Sequence, residues 1–283
     1  MSNNPRHIVQ RYYVPPTTIG GAGVWSVKEQ LQAISGGNWP FLGDFQIAVV
    51  GGGGGGSRNN YPGTGGPGGY FTTTNSTSIP NTVFRTTYVV TIGAGGPPAT
   101  TANSNGQGGG SSSIIGGIIS LSAVGGITVG SFVSQTGPYT GANALGGSGA
   151  GGDGTAAGGG PGTSALSTVT YEIAAGGGTV YGELSGGLYY YGGGGANPVS
   201  TIPGVGYGAP FTEPTPTNAP ANSGGGGAGG GNTIFEYSAS NGGSGVVIIK
   251  SPFVAQSGSA LYSLTVYRNR YYYTITSSGS ITF

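Results

Sequence analysis

Apolar positions along the chain gather in short β-type runs, and several of these runs end directly in glycine. The runs are FQIAVV (45–50), TVFRTTYVVTIGAGG (82–96), IISLSAVGG (118–126), STVTYEIAAGGG (167–178) and GVVIIK (245–250). Their β-branched and aromatic content predicts strands. Between them lie glycine blocks such as GGGGGG (51–56), GTGGPGG (63–69), GGSGAGGDGTAAGGGPG (146–162) and GGGGAGGGN (224–232). A flexible linker has no need to restart from an apolar strand each time. The alternation therefore predicts ordered glycine segments, in which each strand sets the register and extended glycine backbones then pack on one another. Glycine alone permits so close an approach.

Helical spacing is confined to the start of the chain. In GVWSVKEQLQAISGGNWP (23–40), Val24, Val27, Leu31 and Ile34 share one helical face. Ser26 and Glu29 have the spacing of a capping box, and Gly36 and Gly37 supply the stop. About two and a half turns are marginal alone, so this face needs a partner, either its own domain or another chain. Trp25, Leu31, Ile34 and Trp39 are the candidate docking residues. At the other end, ALYSLTVY (260–267) and YYYTIT (271–276) flank Arg268-Asn269-Arg270 and read as a hairpin, and SSGSITF (277–283) offers a further short strand. The chain thus divides into an N-terminal docking segment (1–43), a glycine-rich domain (44–253) and a C-terminal hairpin (254–283). The fold class is all-β, with one short N-terminal helix.

Composition sharpens this reading. Glycine contributes 66 of 283 residues, while charged residues make up 5% against the usual ~25%. Disordered chains combine low hydrophobicity with high net charge; this one is 35% hydrophobic, with 18 tyrosines and a net charge of +1. Ordering 66 glycines costs on the order of 100 kcal/mol of backbone entropy, so dense backbone hydrogen bonding must offset it. The run Ile114–Val133 is long and uncharged enough to suggest a membrane helix. Its glycine pairs and β-branched residues favour short buried strands, and membrane insertion is not expected.

The inventory of reactive side chains argues against catalysis. His7 is the single histidine, Asp44 and Asp153 are the two aspartates, and cysteine is absent. A Ser-His-Asp arrangement and a zinc site both lack their parts. Glu172 and Glu183 read as solvated surface acids. Gly63, Gly65 and Gly68 fit a dinucleotide-binding spacing, but no helix follows them. Lys250 is the one basic residue between Arg85 and Arg268, too few for nucleic-acid binding. The expectation is a protein that is not an enzyme, with no cofactor and no metal.

The connectors remain. SRNNYPG (57–63), SQTGPYTGANAL (134–145) and ANPVSTIPGVGYGAPFTEPTPTNAPANS (196–223) combine Tyr, Asn, Thr and Pro, as many recognition loops do. Tyr61, Tyr139, Tyr207 and Phe211 are the candidate contact residues.

The series FQIAVVGGGGGG, GGYFTTT, YVVTIGAGG, SAVGG and GGSGVVIIKSP resembles the glycine-rich domain of phage tail-fibre and other virion proteins, over about residues 44–252. VWSVKEQLQAISGGNWP is similar to a segment near the N-terminus of marine phage structural proteins. The resemblance implies a homo-oligomeric virion protein that docks to other virion proteins through its N-terminal segment. By analogy with glycine-rich adhesins it implies that loops contact a host saccharide or outer-membrane protein. A capsid fibre or decoration protein with a purely structural role is the alternative. An ice-binding glycine bundle would call for a regular three-residue repeat in the blocks, which is absent.

Overall fold

A computed structural model describes residues 26, 28, 45–58, 69, 71–76, 86–127, 161–196, 203–204, 206–210, 216–231 and 237–283. The predicted helix around Leu31, with Trp25, Ile34 and Trp39, lies outside them.

The strands are β1 (Phe45–Val50), β2 (Phe71–Ser76), β3 (Thr87–Thr91), β4 (Ser112–Gly116), β5 (Ile119–Ala123), β6 (Glu183–Ser185), β7 (Leu188–Tyr190), β8 (Val246–Ser251), β9 (Ser257–Gly258), β10 (Tyr262–Tyr267), β11 (Arg270–Ile275) and β12 (Gly279–Thr282). One sheet has the order β10-β11-β8-β1-β2, a second the order β5-β4-β3-β12-β9, and β6 and β7 form a separate hairpin. All the pairings are antiparallel. The fold is all-β with packed glycine segments. The residues from 254 onward complete both sheets, because β11 pairs with β8 and β12 pairs with β3.

Period-two alternation divides β1 between two cores. Phe45, Ile47 and Val49 face the second sheet with Tyr88, Val90, Ile114, Ile249 and Tyr273. Phe283 sits among their aromatic rings, 5.5 Å from Phe45 and 5.2 Å from Tyr273, edge to face. Ala48 and Val50 face the other way, with Val246, Ile248 and Tyr272. The first sheet is covered on both faces, which is why FQIAVV and VVIIK read as continuous apolar runs.

The second cover is a helix, α1 (Ser167–Ala175), where the sequence reading expects a strand. Leu166, Val169 and Ile173 fall on one helical face and pack on Ala48, Val50 and Ile248. The helix penalty of its Ser, Thr and Val residues is a few tenths of a kcal/mol each. Burial of that apolar face outweighs it. Gly177, at φ +75°, ends the helix with Gly178, whose N–H returns to the Ile173 carbonyl. The uncharged run that begins at Ile114 forms the β4–β5 hairpin as far as Ala123. Among the described residues no helix is long and apolar enough to cross a membrane.

Buried core tyrosines give the fold an alkaline limit. Burial pushes the hydroxyl pKa of both Tyr88 and Tyr191 up from 10.0 to about 12. Between those values the unfolded chain releases protons that the folded chain retains, so stability falls as pH rises. Below pH 10 their contribution is fully present. Burial raises the hydroxyl pKa of Tyr272 and Tyr273 as well, so unfolding followed across this range, together with tyrosinate absorbance, should show at least four late-titrating tyrosines and a falling melting temperature.

The glycine segments continue the sandwich along its strand axes. β1, β3 and β5 run out into 51–57, 92–99 and 124–127, while 107–111 and 240–245 run back into β4 and β8. Hydrogen bonds cross between these rods with a period of three. Gly52 and Gly55 donate to Gly110 and Gln107, both at 2.9 Å; Gly53 and Gly56 donate to Gly243 and Ser240, at 2.9 and 3.0 Å. The Gly53 and Gly56 carbonyls accept from Gly96 and Ala99, and the Gly54 and Ser57 carbonyls accept from Gly227 and Gly230. Three residues per turn is the period of an extended polyproline-like helix. The sequence carries no such repeat, yet the backbone does. Segment 51–57 is the central rod, touching 93–99, 107–110, 126, 224–230, 240–243 and Gly69.

Candidate functional site

The sandwich closes one end of the bundle, and the 101–104 turn lies at the other, beside the end of the central rod. Arg58 follows the central rod there. Its backbone forms a two-way bridge with Ser104, its Nη1 donates to the Thr100 carbonyl (3.1 Å), and its Nε donates to the Gly231 carbonyl (3.4 Å). One guanidinium thus ties the ends of three rods, using the planar spread of donors that arginine carries. Beside it, Ala196, Ala209, Ala219 and Ala228 form a small apolar cluster under Tyr237. These are places where the rods leave room for one Cβ each. Asn103, in left-handed conformation at φ 55°, turns the 101–104 loop, and the Ser104 hydroxyl donates to the Thr101 carbonyl (2.6 Å).

Of the four aromatic contact candidates, the structure describes Tyr207. It lies on the flank of the bundle against the β6–β7 hairpin. Gly206 (φ 105°) and Tyr207 (φ 62°) turn consecutive N–H groups toward one point, and both donate to Glu183 Oε2 at 2.7 Å. Such a concavity binds anions, and here the chain's own carboxylate fills it. Glu183 is therefore a structural acceptor and not a solvated acid. Tyr61 and Phe211 lie outside the described residues. Tyr139 also lies outside, between Ile127 and Pro161.

A second set of aromatics, unread in the sequence, lines the flank near Tyr207. The rings of Tyr171 on α1 and Tyr189 on β7 meet edge to face at 4.9 Å, and the Tyr171 hydroxyl donates to the Gly187 carbonyl. Tyr171 stands on α1, a segment whose local sequence is β-like, so no local pattern pairs it with Tyr189. Among the described residues no group of three His, Cys, Asp or Glu is placed to hold a metal. The bundle offers geometry and amide, hydroxyl and aromatic contacts, without an assembled reactive centre among the described residues.

A family model described as a glycine-rich domain matches residues 36–252 of this chain. The chain belongs to this glycine-rich domain family. No curated protein and no solved structure matches it. The match to the glycine-rich domain ends at β8, so β10, β11 and β12, which complete the two sheets, come from beyond it.

Proposed function

We propose that this chain is a structural protein of a phage virion, a tail-fibre or tail-tip component whose inter-glycine loops contact the host cell surface. The observation that supports this reading is the central rod 51–57, held by neighbouring rods on all sides and opening at its far end into loops tied by Arg58. A backbone-bonded bundle holds loops in fixed positions while exposing few side chains of its own, so recognition chemistry must come from the connectors. Residues 1–43 attach the chain to other virion proteins. Tyr, Asn and Thr in the connectors suit a saccharide or an outer-membrane protein loop. The near-neutral charge provides little electrostatic steering toward a charged receptor.

Two measurements test the reading. Antibody labelling of particles should mark the tail, whereas label spread over the capsid replaces the reading with the decoration role. Phage carrying Tyr61→Ala and Phe211→Ala should assemble normally and adsorb at least about tenfold more slowly, each anchoring aromatic contributing about 2 kcal/mol. Unchanged adsorption after Ala replacement of Tyr61, Tyr139, Tyr207 and Phe211 together removes host contact from these loops.

A further inference from the structure

β10 is the outer strand of the first sheet, and its hairpin geometry fixes which backbone groups it leaves open. Arg268 and Asn269, at φ 49° and 57°, form a two-residue turn of the mirror-image type, closed by the pair Tyr267 and Arg270. In such a hairpin the closing pair is hydrogen-bonded, and so are Thr265 with Tyr272 and Ser263 with Thr274. The N–H and C=O groups of Tyr262, Leu264 and Val266 therefore point off the sheet, and among the described residues nothing bonds to them. The side chains of these same residues are exposed, Leu264 at 45% and Val266 at 54%, with Leu261 at 70% beside them. They lie on the face turned toward the second sheet, but that sheet ends at the two-residue strand β9. The free edge of β5 differs: its outward residues are Ser120 and Ser122, both polar.

Open edges of native sheets are ordinarily blunted by charge, proline or a bulge. YSLTVY carries none of these. We infer that a second copy of this chain pairs with it there, β10 against β10 in antiparallel register about a two-fold axis at Leu264, joining two five-stranded sheets into one of ten strands. This register pairs Leu264 with Leu264 of the partner, and Tyr262 and Val266 with the partner's Val266 and Tyr262. All three outward residues then meet outward residues, giving an isologous contact. Charge selects the antiparallel sense. A parallel pairing would set the two Arg268 side chains next to each other, whereas the two-fold register separates them by about 27 Å along the strands, beyond the screening length of about 8 Å. The inference stands independently of host contact, since it concerns the sandwich and not the loops.

The full chain should sediment as a dimer of 27.5-kDa protomers, and Leu264→Lys with Val266→Lys should sediment as a folded monomer. Register is read by cysteine, which the chain lacks. Hydrogen-bonded partners lie about 5.5 Å apart between Cα atoms, within disulfide reach, so Leu264→Cys should oxidise to a covalent dimer. Val266→Cys, about 14 Å from its symmetry mate, should not. A monomeric wild type, a dimer that survives the lysine variant, a trimer, or equal cross-linking of the two cysteine variants overturns the proposal. Should the lysine variant fail to fold, the two cysteine variants decide alone.

Discussion

Gly56→Val is expected to yield no folded, soluble protein. Gly56 lies in the central rod, donating to the Ser240 carbonyl at 3.0 Å and accepting from the Ala99 N–H at 2.9 Å. A Cβ added there would overlap the Ala228 carbonyl and lie 2.9 Å from the Gly229 nitrogen. Overpacking a side-chain core costs about 1–3 kcal/mol because neighbours rotate away. Backbone atoms have no rotamers, so whole rods must separate, and the bonds from 51–57 to its neighbours go with them. A loss above about 5 kcal/mol would exhaust the stability of an ordinary domain. Gly177 provides the contrast. Its φ is +75° and a Cβ there meets nothing within 4 Å, so Gly177→Ala should cost only the left-handed penalty of about 1–2 kcal/mol. Soluble yield, melting temperature and amide exchange at Gly52, Gly53, Gly55 and Gly56 measure both. If Gly56→Val melts within a few degrees of wild type, the rods do not pack as described.

The sequence carried the alternation of strand and glycine block because that pattern is written in side chains: FQIAVV before Gly51 and VVIIK after Gly245 both become central strands of the first sheet. The three-residue period was illegible, since it resides in amides that every residue possesses. Helix α1 is not legible in its own residues, because Ser167, Thr168, Val169 and Thr170 look β-like locally. The decisive information is the apolar face of the first sheet that α1 covers, assembled from strands far away in the chain. Glu172 and Glu183 were read as solvated acids for the same reason, since their partners, Lys250 and the Gly206–Tyr207 amides, lie 78 and about 23 positions away. Arg58 was visible as a lone base in a connector, but the carbonyls it caps belong to rods whose meeting no local pattern announces. The β10–β11 hairpin, by contrast, is local, and its turn residues mark it directly.

Glu172→Ala should cost about 3–5 kcal/mol. Lys250 stands on β8, on the face that α1 covers, and is 8% exposed. Its Nζ donates to both oxygens of Glu172, at 2.8 and 3.2 Å, and stands 5.8 Å from the Tyr272 ring centre. This ion pair fastens the helix to the middle of the first sheet. Removing the carboxylate leaves an ammonium with a single aromatic face for company, and a cation–π contact contributes only about 1–2 kcal/mol. The pair itself adds little beyond what apolar residues would, because forming it takes Lys250 and most of the Glu172 side chain out of water. Glu172→Leu combined with Lys250→Met should therefore recover most of the loss, a coupling that a urea-unfolding double-mutant cycle reads directly. A well-solvated lysine would give no such coupling: Glu172→Ala would then cost under about 1 kcal/mol, as exposed pairs do. Added salt separates the two cases again, since it erodes an exposed pair and leaves a buried one nearly unchanged.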